Sequence, residues 1–175
     1  MDPLAAVTLL DRPLIQSVAA AARKSSRARM NYNFHTGPED NPHRFLNVLL
    51  EGTYVTPHRH LNPPKSEAFL VIEGAAAVFV FDDAGAVAGS YVLGETDPLP
   101  ERLRESPRGI AVDLPPGVWH TVVALTPEVV CYEVKPGPWI ASNDKEFAPW
   151  APKEGEPGAA GYLASLLGAP LRIQS

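Results

Sequence analysis

Cysteine is nearly absent from this sequence: Cys131 stands alone, so no intramolecular disulfide can form, and a reducing, cytoplasmic setting is the expectation. Residues 1–11 lack the positively charged start of a secretory signal. No apolar run approaches the roughly 18 residues that a bilayer span requires, which argues against a membrane partner. A basic cluster is missing too. The chain carries 15 Lys and Arg against 20 Asp and Glu, a net charge of -5, whereas binding a phosphate backbone takes concentrated cations. Nucleic acid is therefore not an expected partner. The mildly basic residues 23–29 read as the solvated end of a helix, and no internal repeat is visible.

What the chain does have is turn formers. It has 13 Gly and 19 Pro in 175 residues, with 45% hydrophobic and 20% charged residues. That composition suits one domain of many short strands, and the fold class expected is all-β. Asp11 as N-cap and Pro13 in the first turn predict a helix over residues 14–23. Asn, Gly, Pro and Asp turn residues 30–42 into an extended or looped segment. Apolar runs predict strands at 45–51, 53–58, 68–73, 76–81, 87–93, 110–114, 119–125 and 129–135. Both faces of the 76–81 run are apolar, which marks a strand buried on both sides. Residues 82–85 make a hairpin turn, and the polar stretch 94–108 reads as a long loop outside the sandwich. Eight or so short strands fit a double-sheet jelly roll. Prolines at 136 and 138 force the chain out of the sheet. Beyond them, Trp139, Phe147 and Trp150 are expected either to pack as a flap or to form a homodimer interface. A short helix over 161–167, ended by Gly168 and Pro170, closes the chain.

The chemistry centres on four residues. His58 and His60 alternate on a strand, so both imidazoles look to the same side. Glu67 opens the next apolar run, and His120 follows the turn Pro115, Pro116, Gly117. Three imidazoles and a carboxylate suit one divalent transition metal ion, Zn, Fe, Mn, Ni or Cu, with one or two positions left open for water or a small-molecule ligand. His35 lies in a loop, and His43 reads as a surface residue. Cys131, Glu133 and Lys135 share one strand face and Val130, Tyr132 and Val134 the other. If the apolar set is buried in the sandwich the charged set meets solvent, and the opposite facing puts Glu133 and Lys135 beside the metal. Arg44 and Lys145 are candidate holders of an anionic substrate, with ordinary surface cations as the alternative.

The spacing of these residues resembles the two motifs of the cupins. Gly52, His58, His60, Glu67 and Gly74 fill the first, and Gly109, Pro115, Gly117 and His120 the second. The spacer from His60 to Glu67 is six residues where cupins usually have three or four, and Ala124 replaces a usual Asn. Asn31 to His35, Arg44 to Asn47, Pro57 to His60, Trp119 with His120, Glu133 to Trp139 and Lys145 to Glu154 together resemble the WbuC family of cupin metalloproteins. This resemblance implies a cupin jelly-roll barrel over residues 29–154, preceded by a helical segment at 1–28 and followed by a tail with a short helix at 155–175, all one structural domain. It implies His58, His60, Glu67 and His120 as metal ligands, and places His35 near the barrel mouth. It also implies a link with surface polysaccharide (O-antigen) biosynthesis. Three functions remain open: a metal-dependent enzyme acting on a small carbohydrate-like or oxygenated substrate, isomerase-like or epimerase-like; a non-catalytic sugar-binding or metabolite-binding module; and an Fe(II) dioxygenase.

Overall fold

A computed structural model describes residues 7–168; the predicted helix stop at Pro170 lies outside them. Two β-sheets face each other, and each is covered on its outer side. Helix α1 (Arg12–Lys24) begins where Asp11 accepts a hydrogen bond from the Leu14 N–H at 3.0 Å, with Pro13 in the first turn and Arg23 and Lys24 in the last. Ile15, Val18, Ala19 and Ala22 recur at helical spacing, and this stripe packs on Leu46, Val48 and Val130.

Strands β1 (Arg29–Asn33), β2 (His43–Leu50), β3 (His58–Arg59), β4 (Glu67–Glu73), β5 (Ala75–Phe81) and β6 (Val87–Gly94) come before a 3-10 turn at Glu101–Leu103. After it come β7 (Arg108–Gly109), β8 (Ala111–Leu114), β9 (Trp119–Ala124), β10 (Glu128–Lys135), β11 (Glu146–Phe147) and helix α2 (Ala159–Leu166). One sheet has the order β1-β2-β10-β4-β8 and the other β11-β3-β9-β5-β6-β7. All pairings are antiparallel except β6 with β7. Ala76, Val78, Val122 and Ala124 meet Leu49, Phe69, Val129 and Cys131 in the space between the sheets.

The expected double burial of β5 has a clear cause. Its alternate residues Ala77, Phe79 and Phe81 face away from the sandwich and are covered by Ala148, Ala151, Ala159, Leu163 and Leu166 from the C-terminal part of the chain. Trp150 belongs to this layer, lying edge-on to Trp119 at 4.9 Å and near Phe81. Of the three late aromatics it alone joins the core, while Trp139 and Phe147 stay about half exposed.

Two expectations need correction. Residues 53–57 form no strand. Arg29 donates to the Tyr54 carbonyl and Thr121 to that of Val55, so side chains take the acceptors a ladder would use, and Pro57 has no N–H to give. The stretch 94–108 is not wholly outside the sandwich, because Leu99 and Leu103 are buried against the outer face of β5 and β6. Their polar neighbours hide two anchors whose burial contributes about 1.5–3 kcal/mol each.

Candidate metal centre

His58 on β3 pairs directly with His120 on β9, and the alternation of β3 carries His60 to the same side as His58. Between His60 and Glu67 the chain bulges outward through Leu61, which is exposed, and returns by a bridge from Leu61 to Pro64. The Gly117 N–H and Lys65 N–H both donate to the His60 carbonyl and tie this bulge down. Glu67 then starts β4 opposite Leu114. The four side chains are all buried, and one donor atom from each lies within 4.8 Å of the others. Donors that sit about 2.0–2.2 Å from a shared ion are at most about 4.4 Å apart, so small side-chain rotations bring this set into range.

The hydrogen bonds behind the rings decide how they present themselves. Nδ1 of His58 donates to the Thr56 carbonyl at 3.0 Å, Nδ1 of His120 to Val118 at 2.9 Å, and Nδ1 of His60 to Asp144. A carbonyl can only accept, so each Nδ1 carries the proton and each neutral ring turns a lone pair inward at Nε2. Nε2 of His58 and His60 is buried with no partner. Nε2 of His120 lies 2.9 Å, and that of His60 3.5 Å, from a Glu67 oxygen. Lone pair thus faces carboxylate, an arrangement that calls for a cation between them. A divalent metal fits this donor set.

Electrostatics prepare the same state. Burial, reinforced by the charge of Lys145, drives the His58 pKa well below the usual imidazole range, which keeps the ring neutral. Burial pushes Glu67 up, yet its partners His120, His60 and Lys135 hold the carboxyl well below its usual range. Glu67→Gln keeps the shape and deletes the charge. It is expected to lower divalent-metal affinity by about 10–100-fold or more, with the metal-free Tm moving far less; chelator competition and thermal scans on the same preparation check both.

The facing of β10 is resolved. Val130 packs against α1, and Tyr132 lies on the same side beside Phe34, so Cys131, Glu133 and Lys135 point between the sheets. The apolar face belongs to a helix-covered outer layer, and the charged face lines the cavity. Lys135 lies 3.7 Å from Glu67, 3.5 Å from Glu133 and 3.4 Å from Asp144. Burial opposes its charge, yet these three carboxylates raise its pKa. Asn47 donates to Glu133 at 2.6 Å, and burial next to Glu67 pushes the Glu133 pKa up to about 8. Burial likewise raises the Cys131 thiol.

Lys145 lines the cavity of about 370 Å³ that also contains His58, Glu67 and His120. Burial lowers its pKa. His35 lines an adjoining hollow of about 670 Å³ toward the solvent. Arg44 does not reach either space. It shares strand parity with Leu46 and Val48, which face α1, and its guanidinium donates to the Phe34 carbonyl; its candidacy as an anion holder is corrected accordingly. His43 is corrected too, because it is buried rather than on the surface. As the first residue of β2, opposite Lys135, it stacks on His35 at 4.1 Å and bonds the Pro38 carbonyl.

Asp144 and Lys65 were not singled out by the sequence. Asp144 is the buried residue that follows an exposed run 139–143, and its carboxylate pairs with Lys65 at 3.0 Å and with Lys135. Nothing in the local sequence marks it. Asn47 did carry a signal, as the one polar residue in the apolar run of β2.

The sequence matches a domain of unknown function (DUF6016) over residues 10–93, just under half of the chain. No curated protein matches it. Among solved structures, the capsular polysaccharide assembling protein CapF from Staphylococcus aureus superposes with a TM-score of 0.53 at 18% identity, over 70% of this chain and 32% of that one. The fold is a cupin-type jelly-roll barrel. The chain spans about a third of CapF's length. CapF has also been solved with an inhibitor, 3-isopropenyl-tropolone. The protein SO0799 from Shewanella oneidensis matches with a TM-score of 0.50 at 11% identity, over 70% of this chain and 75% of that one. The buried His and Glu cluster points to a metal ion, and no helix among the described residues is long and apolar enough to cross a membrane.

Proposed function

We propose that this cupin is a metal-dependent enzyme of the WbuC type, acting on a small carbohydrate-like or otherwise oxygenated substrate in surface-polysaccharide biosynthesis. The observation that carries the metal reading is the pair of buried, unpartnered Nε2 atoms of His58 and His60 facing Glu67. His58, His60, Glu67 and His120 would hold the ion. When bound, the metal supplies Lewis acidity, polarising a substrate carbonyl or hydroxyl at an open position. The protein's own groups do the rest. Lys135 neutralises Glu67 and fixes its orientation. Glu133, buried among Asn47 and Lys135, is placed to give or take a proton at a substrate carbon or oxygen. The walls of the cavity exclude bulk water from the reacting atoms. The polysaccharide link is supported by the resemblance to WbuC proteins and by the likeness to CapF, a capsular polysaccharide assembling protein. A cytoplasmic setting fits a single buried thiol.

Protein purified from metal-replete cells should contain about one transition metal ion per chain, measured by elemental analysis. Absence of metal, with none taken up on titration, would sink the reading. Turnover separates an enzyme from a binding module: a nucleotide-sugar or sugar library incubated with the loaded protein should yield a changed product by mass spectrometry, whereas a module would return every compound unchanged. Oxygen consumption on anaerobic iron loading would point to a dioxygenase instead.

A further inference from the structure

Four cations line the two adjoining hollows: Arg27, Arg29, Lys135 and Lys145. Three of them are neutralised in place. Arg27 and Arg29 both pair with Glu154, at 2.7 and 2.5 Å, and Lys135 lies among Glu67, Glu133 and Asp144. Among the described residues, Lys145 alone of the four has no carboxylate within 4.0 Å. It is nevertheless drawn partly out of solvent, while its neighbours Asn143 and Glu146 are exposed. The placement is built rather than incidental. Asp144, the preceding residue, is pinned by its carboxylate to Lys65 and Lys135 and by its carbonyl to His60, so the same anchor that orients a candidate metal ligand delivers Lys145 to the cavity.

With only the more distant charges of Glu67, Glu133 and Asp144 to offset its partial loss of water, the Lys145 ammonium has room for a contacting anion that would complete it. Nor does Lys145 belong to a general positive field, since the chain as a whole carries -5. Resting on the metal-centre reading, we infer that the cavity takes a small hydroxy-carboxylate or keto-carboxylate, its carboxylate shared between the metal and the Lys145 ammonium. Four protein donors leave two positions on a six-coordinate ion. A carboxylate with an adjacent hydroxyl or carbonyl fills both from one molecule, which an uncharged sugar or a phosphate does less well. Asn31 and Asn47 on the cavity wall offer hydrogen bonds to further hydroxyls, and the hollows are of the size that holds one small molecule.

The test is calorimetric titration of the metal-loaded full chain with D-gluconate, with sorbitol as its uncharged counterpart and with inorganic phosphate, metal content being measured before and after. Gluconate should bind at least about tenfold more tightly than either. Lys145→Met should weaken gluconate about 10–100-fold, the scale of a lost hydrogen bond to a charged group, at unchanged metal content. Lys145→Arg should retain most of the affinity, and Asn143→Ala all of it. Sorbitol or phosphate binding as tightly as gluconate, or an unaltered gluconate affinity in Lys145→Met, would overturn the inference while leaving the metal centre standing. A protein that takes up no metal at all would overturn both, and elemental analysis reads that failure separately.

Discussion

His58→Ala should lose metal affinity by more than about 100-fold, a larger drop than removal of an outer hydrogen-bond partner causes. The substitution deletes one of three inward lone pairs, and the hole it leaves beside His120 admits water to the ion. His120→Ala should behave alike and, in addition, free the Glu67 oxygen it now faces at 2.9 Å. His43→Ala makes a demanding control. It also removes a buried imidazole, and so should cost stability, yet it should leave metal content unchanged because His43 faces His35 and Pro38. Elemental analysis of the three variants with chelator competition checks the set. Equal metal in all three would mean that the ligands have been misassigned.

Asp144→Ala is expected to be the costliest single change outside the ligand set. The carboxylate sits between the Lys65 and Lys135 ammoniums, all three side chains being nearly inaccessible. Lys65 keeps only the Pro138 carbonyl when it goes. Breaking a buried pair from one side typically costs about 3–5 kcal/mol, and in a chain of this size about 2–4 °C of Tm accompanies each kcal/mol. A drop of roughly 6–20 °C is therefore expected by calorimetry, against almost none for Asn143→Ala. Pairing Asp144→Leu with Lys65→Met should cost clearly less than the sum of the two singles, since the double variant buries no lone charge at that end of the cluster. Additive losses would show that the two side chains do not depend on each other.

The parts of this molecule that follow a fixed period were legible from the residues alone. Alternation put His58 and His60 on one side of a strand, helical spacing gave α1 its buried stripe, and apolar residues at every position of β5 signalled burial on both faces. Which of two faces looks inward is a different kind of question. On β10 the residues alone left open which way the apolar set Val130, Tyr132 and Val134 faces. It faces outward because α1 supplies a second apolar layer there, and no local pattern on β10 reveals that a helix from the start of the chain will cover it. Arg44 and His43 went astray for the same reason, one on each face of β2. Asp144 was invisible because its importance comes from Lys65 and Lys135, which only the folded chain brings to it. Trp150 could be seen to need burial, but its place against Trp119 and Phe81 depends on where the chain goes after leaving the sheet.

The cover over the outer face of the six-stranded sheet has a bearing on how the protein is made. Phe79, Phe81 and Trp119 are synthesised well before Ala148, Ala151, Leu163 and Leu166, the residues that roof them. On a ribosome adding about 5–20 residues per second, that face stays bare for seconds, and the strands flanking it cannot settle until the roof emerges from the exit tunnel. The candidate ligands are all made by His120, yet β10, which joins β2 to β4, and Asp144, whose carbonyl holds His60, come later, so the site too is finished only shortly before the roof emerges. Pausing or premature termination between these two stages would release a chain with three large aromatics unroofed, the kind of intermediate that holdase chaperones recognise.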